Sequence, residues 1–252
     1  MFEVTLDLAL MLIAAAFAAG FVDAIAGGGG LITLPALLLA GASPMQAIST
    51  NKVQAAFGAA TSAVSYAAAG HVDPRRQIGS AAIAFAAGVG GAMMVALVPT
   101  DWLRLALPVI LVGIALFFAL KPGLDDLDRA QRMRPSVFAG TVVPLIAAYD
   151  GLVGPGAGAF YMIGFVTLAG YGVLKATAHT KLLNLTSNLG GLLAYAVMGA
   201  PWWFIGLAMG LAQVAGARLG ARLAMRIGAG VIKPLLVITS SALAARLIWQ
   251  ML

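Results

Sequence analysis

Four charged residues stand where charge is expensive. Asp23 and Asp150 lie deep in apolar sequence, in "GFVDAIAGGGGLITLP" and "AAYDGLVGPGAGAFY", and Lys52 and Lys181 lie several residues inside "AISTNKVQ" and "ATAHTKLL". An ionised side chain at the centre of a membrane helix costs about 2.5–3.5 kcal/mol on insertion scales, so such groups face an interior and find partners. Two chemistries suit the set: ammonium groups can bind an anion, and carboxylates can take up and release protons or hold the lysines. A purely structural alternative pairs each Asp with the Lys of its own half, holding the aspartate's segment against a following helix.

Each aspartate precedes a run of helix breakers, Gly27 to Gly30 in one case and Gly154, Pro155, Gly156 and Gly158 in the other. Glycine destabilises helix by about 1 kcal/mol relative to Ala, so each run is expected to interrupt its helix. In lipid the freed backbone is tolerated only against protein or a water-filled cavity. Helix resuming at Leu31 would present N–H groups at the positive end of its dipole, a natural seat for an anion, so Gly28, Gly29, Gly30 and Gly156 join the candidate ligands. The other reading of glycines in such a chain is close helix packing.

Polar residues cluster around both lysines. Asn51 and Gln54 flank Lys52, while His179, Thr180, Asn184, Ser187 and Asn188 surround Lys181. Asn184 and Asn188 are four apart and therefore share one face of a helix. The expected substrate-binding set is Asn51, Lys52, Gln54, Thr180, Lys181, Asn184, Asn188 and the glycines just named. Asp23, Asp150 and His179 are the candidates for proton coupling or gating, His179 because an ordinary imidazole titrates near neutral pH. No Ser-His-Asp spacing and no metal-ligand cluster appears, the chain has no Cys, and "GGGG" lacks the following Lys-Ser/Thr of a phosphate loop. No cofactor, metal or catalytic residue is expected, and the protein is not read as an enzyme.

The elements that must position these residues are membrane helices. With 252 residues, 62% hydrophobic and 10% charged, and a mean hydropathy of +0.99, the chain cannot coat a soluble globule. The basic residues are dispersed through short loops, which excludes a nucleic-acid partner and fits topology determinants. Breaking the apolar runs at Gly, Pro and charge gives ten segments, 5–25, 31–40, 45–69, 77–98, 102–120, 136–149, 156–170, 173–199, 203–226 and 231–250. Segments 31–40 and 136–149 are short for a crossing, so the count stands at eight to ten. The stretch 121–135, "KPGLDDLDRAQRMRP", reads as a solvated loop. Placed in the cytoplasm, it puts Arg75, Arg76, Lys175, Arg226 and Lys233 on the same side and leaves Arg104 and Arg246 outside.

The two halves repeat. Asp23 pairs with Asp150 at an offset of 127, and Lys52 with Lys181, Tyr66 with Tyr195 and Gly70 with Gly199 at 129. With five segments per half, the second half enters the membrane from the opposite side. The expectation is an all-α polytopic membrane protein, with 1–120 as the first repeat, 121–135 as a cytoplasmic loop and 136–252 as an inverted second repeat. Inverted repeats with interrupted helices place binding sites near the bilayer midplane.

At "GFVDAIAGGGGLITLPALLLAG", "SPMQAISTNKVQAAFGAATSAVSYAAAG" and the degenerate copy "YDGLVGPGAGAFY" with "KATAHTKLLNLTSNLGGLLAYAVMG", the sequence resembles the sulfite exporter TauE/SafE family, also called the 4-toluene sulfonate uptake permeases. Asn51 and Lys52 match its pattern directly, whereas the second copy carries Thr180 where the first has Asn51. The resemblance implies a multi-pass carrier in the bacterial inner membrane for a small sulfur-containing anion such as sulfite or a sulfonate. Together these readings describe a secondary transporter working by alternating access on a small anion, with a proton-coupled form open. An anion channel of the same architecture is the alternative.

Overall fold

The computed structural model describes residues 5–97, 109, 112–114, 116–121, 124–198 and 201–249, and among these every regular element is helical. The elements are α1 (Leu6–Ala26), α2 (Gly30–Leu39), α3 (Pro44–Ala68), α4 (Ile78–Met93), α5 (Pro135–Leu152), α6 (Ala157–Gly164), α7 (Val173–Val197), α8 (Trp203–Ile227) and α9 (Ala229–Trp249). A 3-10 turn stands at each end of α4, and α6 continues as a π turn over Phe165–Ala169. Most of the expected segment 102–120, including Arg104, lies outside the described residues, as does the Arg246 side chain.

Local chemistry sets the helix ends. Ser43 and Gln46 form a reciprocal capping box with Pro44 at the first position of α3. Thr5 caps α1, and Pro135 opens α5. By length and composition α1, α5 and α8 can each cross a membrane. Helices α3 and α7 have 25 residues apiece but carry the polar residues of the site, which lower their hydropathy. The expected 136–149 segment extends to Pro135–Leu152 and is no longer short. The short pair is instead α2, with 10 residues, and α6 with its π turn; at about 1.5 Å per residue neither covers a ~30 Å hydrocarbon layer.

The halves are interleaved. Helix α1 packs on α8 and α5 on α4, while α3 lies against both α7 and α8, and α7 against α4. Backbones approach closely at these crossings. A Cβ added to Gly91 would meet Ala148 O at 1.9 Å, and one on Gly216 would meet Phe17 O at 2.0 Å, so most glycines outside the breaks do serve packing. An apolar core including Ile25, Leu31, Phe118, Met162 and Leu236 joins elements of both halves.

The 121–135 loop is more than solvated sequence. Asp126 accepts the Leu174 N–H and the Ala229 N–H, both at 2.9 Å, and so touches the starts of α7 and α9 at once. Asp128 accepts the Gly172 N–H at 2.9 Å and pairs with Lys175 at 2.5 Å. Carboxylates at helix N-termini satisfy orphan donors and complement the dipole.

Candidate functional site

Both glycine runs break the chain as the sequence indicates. After α1, Gly27 takes φ 71° and Gly28 φ 131°; after α5, Gly154 takes φ 96° and Gly156 φ 82°. Left-handed backbone of this kind is open to glycine at little strain. The breaks also meet. A Cβ on Gly27 would lie 2.9 Å from Gly158 Cα, and one on Gly158 would lie 2.9 Å from Gly27 Cα, so the two chains cross with no room for a methyl group.

The buried charges pair across the halves, which overturns pairing of each Asp with its own half's Lys. Lys52 Nζ of α3 donates to the Asp150 carboxylate at 2.8 Å and to the Asp150 carbonyl. Lys181 Nζ of α7 donates to the Asp23 carbonyl and faces the Asp23 carboxylate at 3.5 Å. Each ammonium thus sits at the C-terminal, negative end of the helix that carries the aspartate, where a cation is favoured. A tyrosine completes each clamp from the same half: Tyr66 OH donates to Ala24 O at 3.0 Å, and Tyr195 OH to Leu152 O at 3.1 Å. The repeat offset had flagged both tyrosines, although nothing in their type marked them as site residues.

Between the breaks lies a cavity of about 30 Å³, roughly twice what a single water needs. Asp23 and Asp150 line it together with Asn51, Asn184 and Asn188, and its backbone wall includes Gly28, Gly29 and Gly156. These are eight of the expected residues. Lys52 and Lys181 are fully buried and are not among the lining residues, because their ammonium groups are turned into the opposite half's carboxylate and carbonyl. Gln54 stands behind Asn51, donating to Asn51 Oδ1 at 3.2 Å. Gly30 packs on the Asn51 amide. Thr180 is buried beside the Gly27/Gly158 crossing, with no partner for its hydroxyl among the described residues.

Gln213 of α8 lines the cavity without having been expected. Its Nε2 lies 3.4 Å from Gln54 Oε1. A lone amide in the apolar stretch "GLAQVAG" is a signal, but it has no counterpart in the other half, where Ala87 stands at the offset of 126. Thr33 was also unmarked; its hydroxyl donates to Asn51 Oδ1 at 2.6 Å and fixes that amide.

The two carboxylates are held unequally. Asp150 is 2% exposed and accepts from Lys52 on Oδ1 and from Asn184 at 3.0 Å, Asn188 at 3.2 Å and Ser187 on Oδ2. Asp23 is 18% exposed; its Oδ1 accepts the Gly28 and Gly29 N–H groups at 3.0 and 3.2 Å. The N–H groups just ahead of α2 are therefore taken by the chain's own carboxylate, and those of Leu31 and Ile32 turn back to the Gly28 and Gly29 carbonyls. No three metal-ligating side chains come together among the described residues.

His179 stands elsewhere. It lines a second cavity of about 360 Å³ with His71, Arg76, Gln77 and Lys175, its Nδ1 lying 2.9 Å from Lys175 O and its ring edge-on to Tyr171. At the rim of this region burial works to raise the Asp128 carboxyl. The Lys175 and Gly172 hydrogen bonds, with the charges of Lys175 and His179, outweigh it and hold the group below the ordinary carboxylate range.

The profile of the sulfite exporter TauE/SafE family matches residues 12–247. A Sinorhizobium protein called probable membrane transporter protein ORF9 is 53% identical over 96% of this chain and 94% of its own length. The probable membrane transporter protein YfcA of Escherichia coli K12 is 43% identical over 93% of this chain and 87% of its own, and a probable membrane transporter protein of Haemophilus influenzae is 36% identical over 98% and 97%. No solved structure matches the chain.

Proposed function

We propose that this chain, which belongs to the sulfite exporter TauE/SafE family, carries a small sulfur-containing oxyanion or sulfonate across the bacterial inner membrane by alternating access, without chemical conversion. It is a multi-pass bacterial membrane protein. The observation that carries the reading is the cavity where two interrupted helices cross, walled by amide side chains and glycine backbone. Its side-chain amides can replace the hydration of a small anion with N–H donors, and among the described residues the fixed charges beside it are neutralised in pairs.

An inverted repeat of 1–120 and 136–252 about the 121–135 loop supplies the moving parts in this reading. The exchange of partners between halves supports it, with α1 on α8 mirrored by α5 on α4. So does the direction of α3 and α7. Lys52 near the start of α3 touches Gly191 near the end of α7, while Tyr66 near the end of α3 and Lys181 near the start of α7 reach successive carbonyls of α1. That arrangement is antiparallel, as equivalent helices of an inverted pair would be. The lysines act in this reading as the groups that hold the two halves together and set the cavity's potential, rather than as direct ligands in the empty state.

The test is uptake into proteoliposomes of labelled sulfite, thiosulfate, sulfate and short sulfonates, with and without the same anion inside. Saturable uptake accelerated by internal anion supports a carrier. Large single-channel currents would establish the channel alternative, and no flux of any of these anions would sink the substrate class.

A further inference from the structure

Resting on the anion-carrier reading, we infer that Asp23 is the residue through which a proton binds together with the anion: Asp23 must be neutral while the cavity is loaded, and Asp150 stays ionised throughout. The cavity is small, both carboxylates line it, and its two compensating ammonium groups are already matched by them. An anion entering adds a third negative charge to a poorly hydrated space beside which the described residues place two positive ones. Like charges in such proximity do not all remain ionised, so one carboxylate takes a proton as the anion arrives.

The hydrogen bonds decide which one. Protonating Asp150 would disturb four side-chain donors, with Lys52 on one oxygen and Asn184, Ser187 and Asn188 on the other. Protonating Asp23 on Oδ2 disturbs one ion pair, 3.5 Å long, and leaves Oδ1 able to accept from Gly28 and Gly29. Asp23 is also the more exposed of the two. Once Asp23 is neutral, the Lys181 ammonium has lost its carboxylate, and the anion supplies the missing charge. One monovalent anion and one proton then bind with no net change in the cavity's charge.

Other groups around Asp23 do not offer a substitute. Tyr66 of α3 is committed to Ala24 O, and Lys52 of α3 to Asp150 across the cavity. Helix α6 brings the buried phenol of Tyr161, α2 has no titratable side chain, and α8 faces the cavity with Gln213 while its Arg218, Arg222 and Arg226 are exposed. Helix α9 carries a half-buried Lys233, and Asp7, on α1 itself, is exposed. His179 lines the separate cavity.

The experiment is calorimetric titration of the purified full chain with thiosulfate and with methanesulfonate, neither of which titrates in the working pH range, in two buffers of different ionisation enthalpy. The wild type is expected to take up about one proton per methanesulfonate, which is monovalent, and at least one per thiosulfate, which is divalent, with affinity falling by up to about tenfold for each pH unit and proton taken up once Asp23 is ionised in the empty protein. Asp23→Asn is expected to bind at least as tightly with no pH slope, and Asp150→Asn to keep the slope. Binding by the wild type without proton uptake, or a slope retained in Asp23→Asn or lost in Asp150→Asn, overturns the assignment. Should the variants fail to fold, a wild-type proton count of zero in the two buffers still overturns the assignment. No wild-type binding of either anion at any pH would overturn the carrier reading itself, a different failure from binding that ignores pH.

Discussion

Lys52 Nζ lies 2.8 Å from Asp150 Oδ1, and the two side chains, 98 residues apart in sequence, are shielded from solvent at 0% and 2% exposure. Removing one partner of such a pair leaves an uncompensated buried charge, which typically destabilises by about 3–5 kcal/mol, whereas removing both is close to neutral. Lys52→Met should therefore lower the melting temperature of the purified protein sharply, and Lys52→Met/Asp150→Asn should restore most of the loss. A double variant no more stable than the single would show that Lys52 stabilises through packing and its bond to the Asp150 carbonyl, and not through the ion pair.

The crossing of Gly27 and Gly158 makes an equally specific demand. A methyl group at 158 would sit 2.9 Å from Gly27 Cα, against backbone that has no freedom to retreat. Gly158→Ala should separate the two breaks, lower the melting temperature and abolish anion flux in proteoliposomes. Gly140→Ala, on α5 with open space around its Cβ position, should be neutral or stabilising by up to about 1 kcal/mol through helix propensity. Equal behaviour of the two variants would mean that the crossing is not a close contact in the working protein.

How far the sequence reached follows the range of its signals. Periodic apolar runs and breakers act within a few residues, so the bounds of α1, α3, α7 and α8 fall within about three residues of expectation. The repeat offset singles out Asp23 with Asp150 and Lys52 with Lys181, the four residues that form the two buried ion pairs. It gave no information on which Lys meets which Asp, because that depends on how the halves interleave. Residue type therefore marks the lysines as candidate ligands but gives no sign that each has a carboxylate of the other half as its partner. Asp126 and Asp128 looked solvated for the same reason: their partners at Gly172, Leu174 and Ala229 are more than forty residues downstream.

Asp128 gives a pH dependence with a definite sign. Its carboxyl is held below the ordinary range, so its contribution to stability is fully present above about pH 4, near the unfolded carboxylate value, and is lost as pH falls through the lower folded one. Asp128→Asn should melt below the wild type at neutral pH, and the gap should close under acidic conditions. The side chain is about half exposed, which keeps the neutral-pH effect modest. A gap that stays constant down to the acid limit would show that Asp128 acts by its shape at the start of α7 and not by its charge.

Gln213 offers a test of the cavity wall that leaves the charged pairs alone. It lines the space between the breaks, and its Oε1 occupies the position a Cβ on Gly58 would need, so α8 presents this amide to the site from close against α3. In the proposed function Gln213→Leu removes a donor from the anion, a loss of about one hydrogen bond, or roughly tenfold in affinity for thiosulfate or methanesulfonate. Gln213→Glu would place a third carboxylate beside Asp23 and Asp150 and should weaken binding much further than the leucine does. That order, wild type tighter than leucine and leucine tighter than glutamate, is what anion occupancy of this cavity requires. Equal affinities for all three, or a glutamate variant that binds either anion best, would place the anion elsewhere.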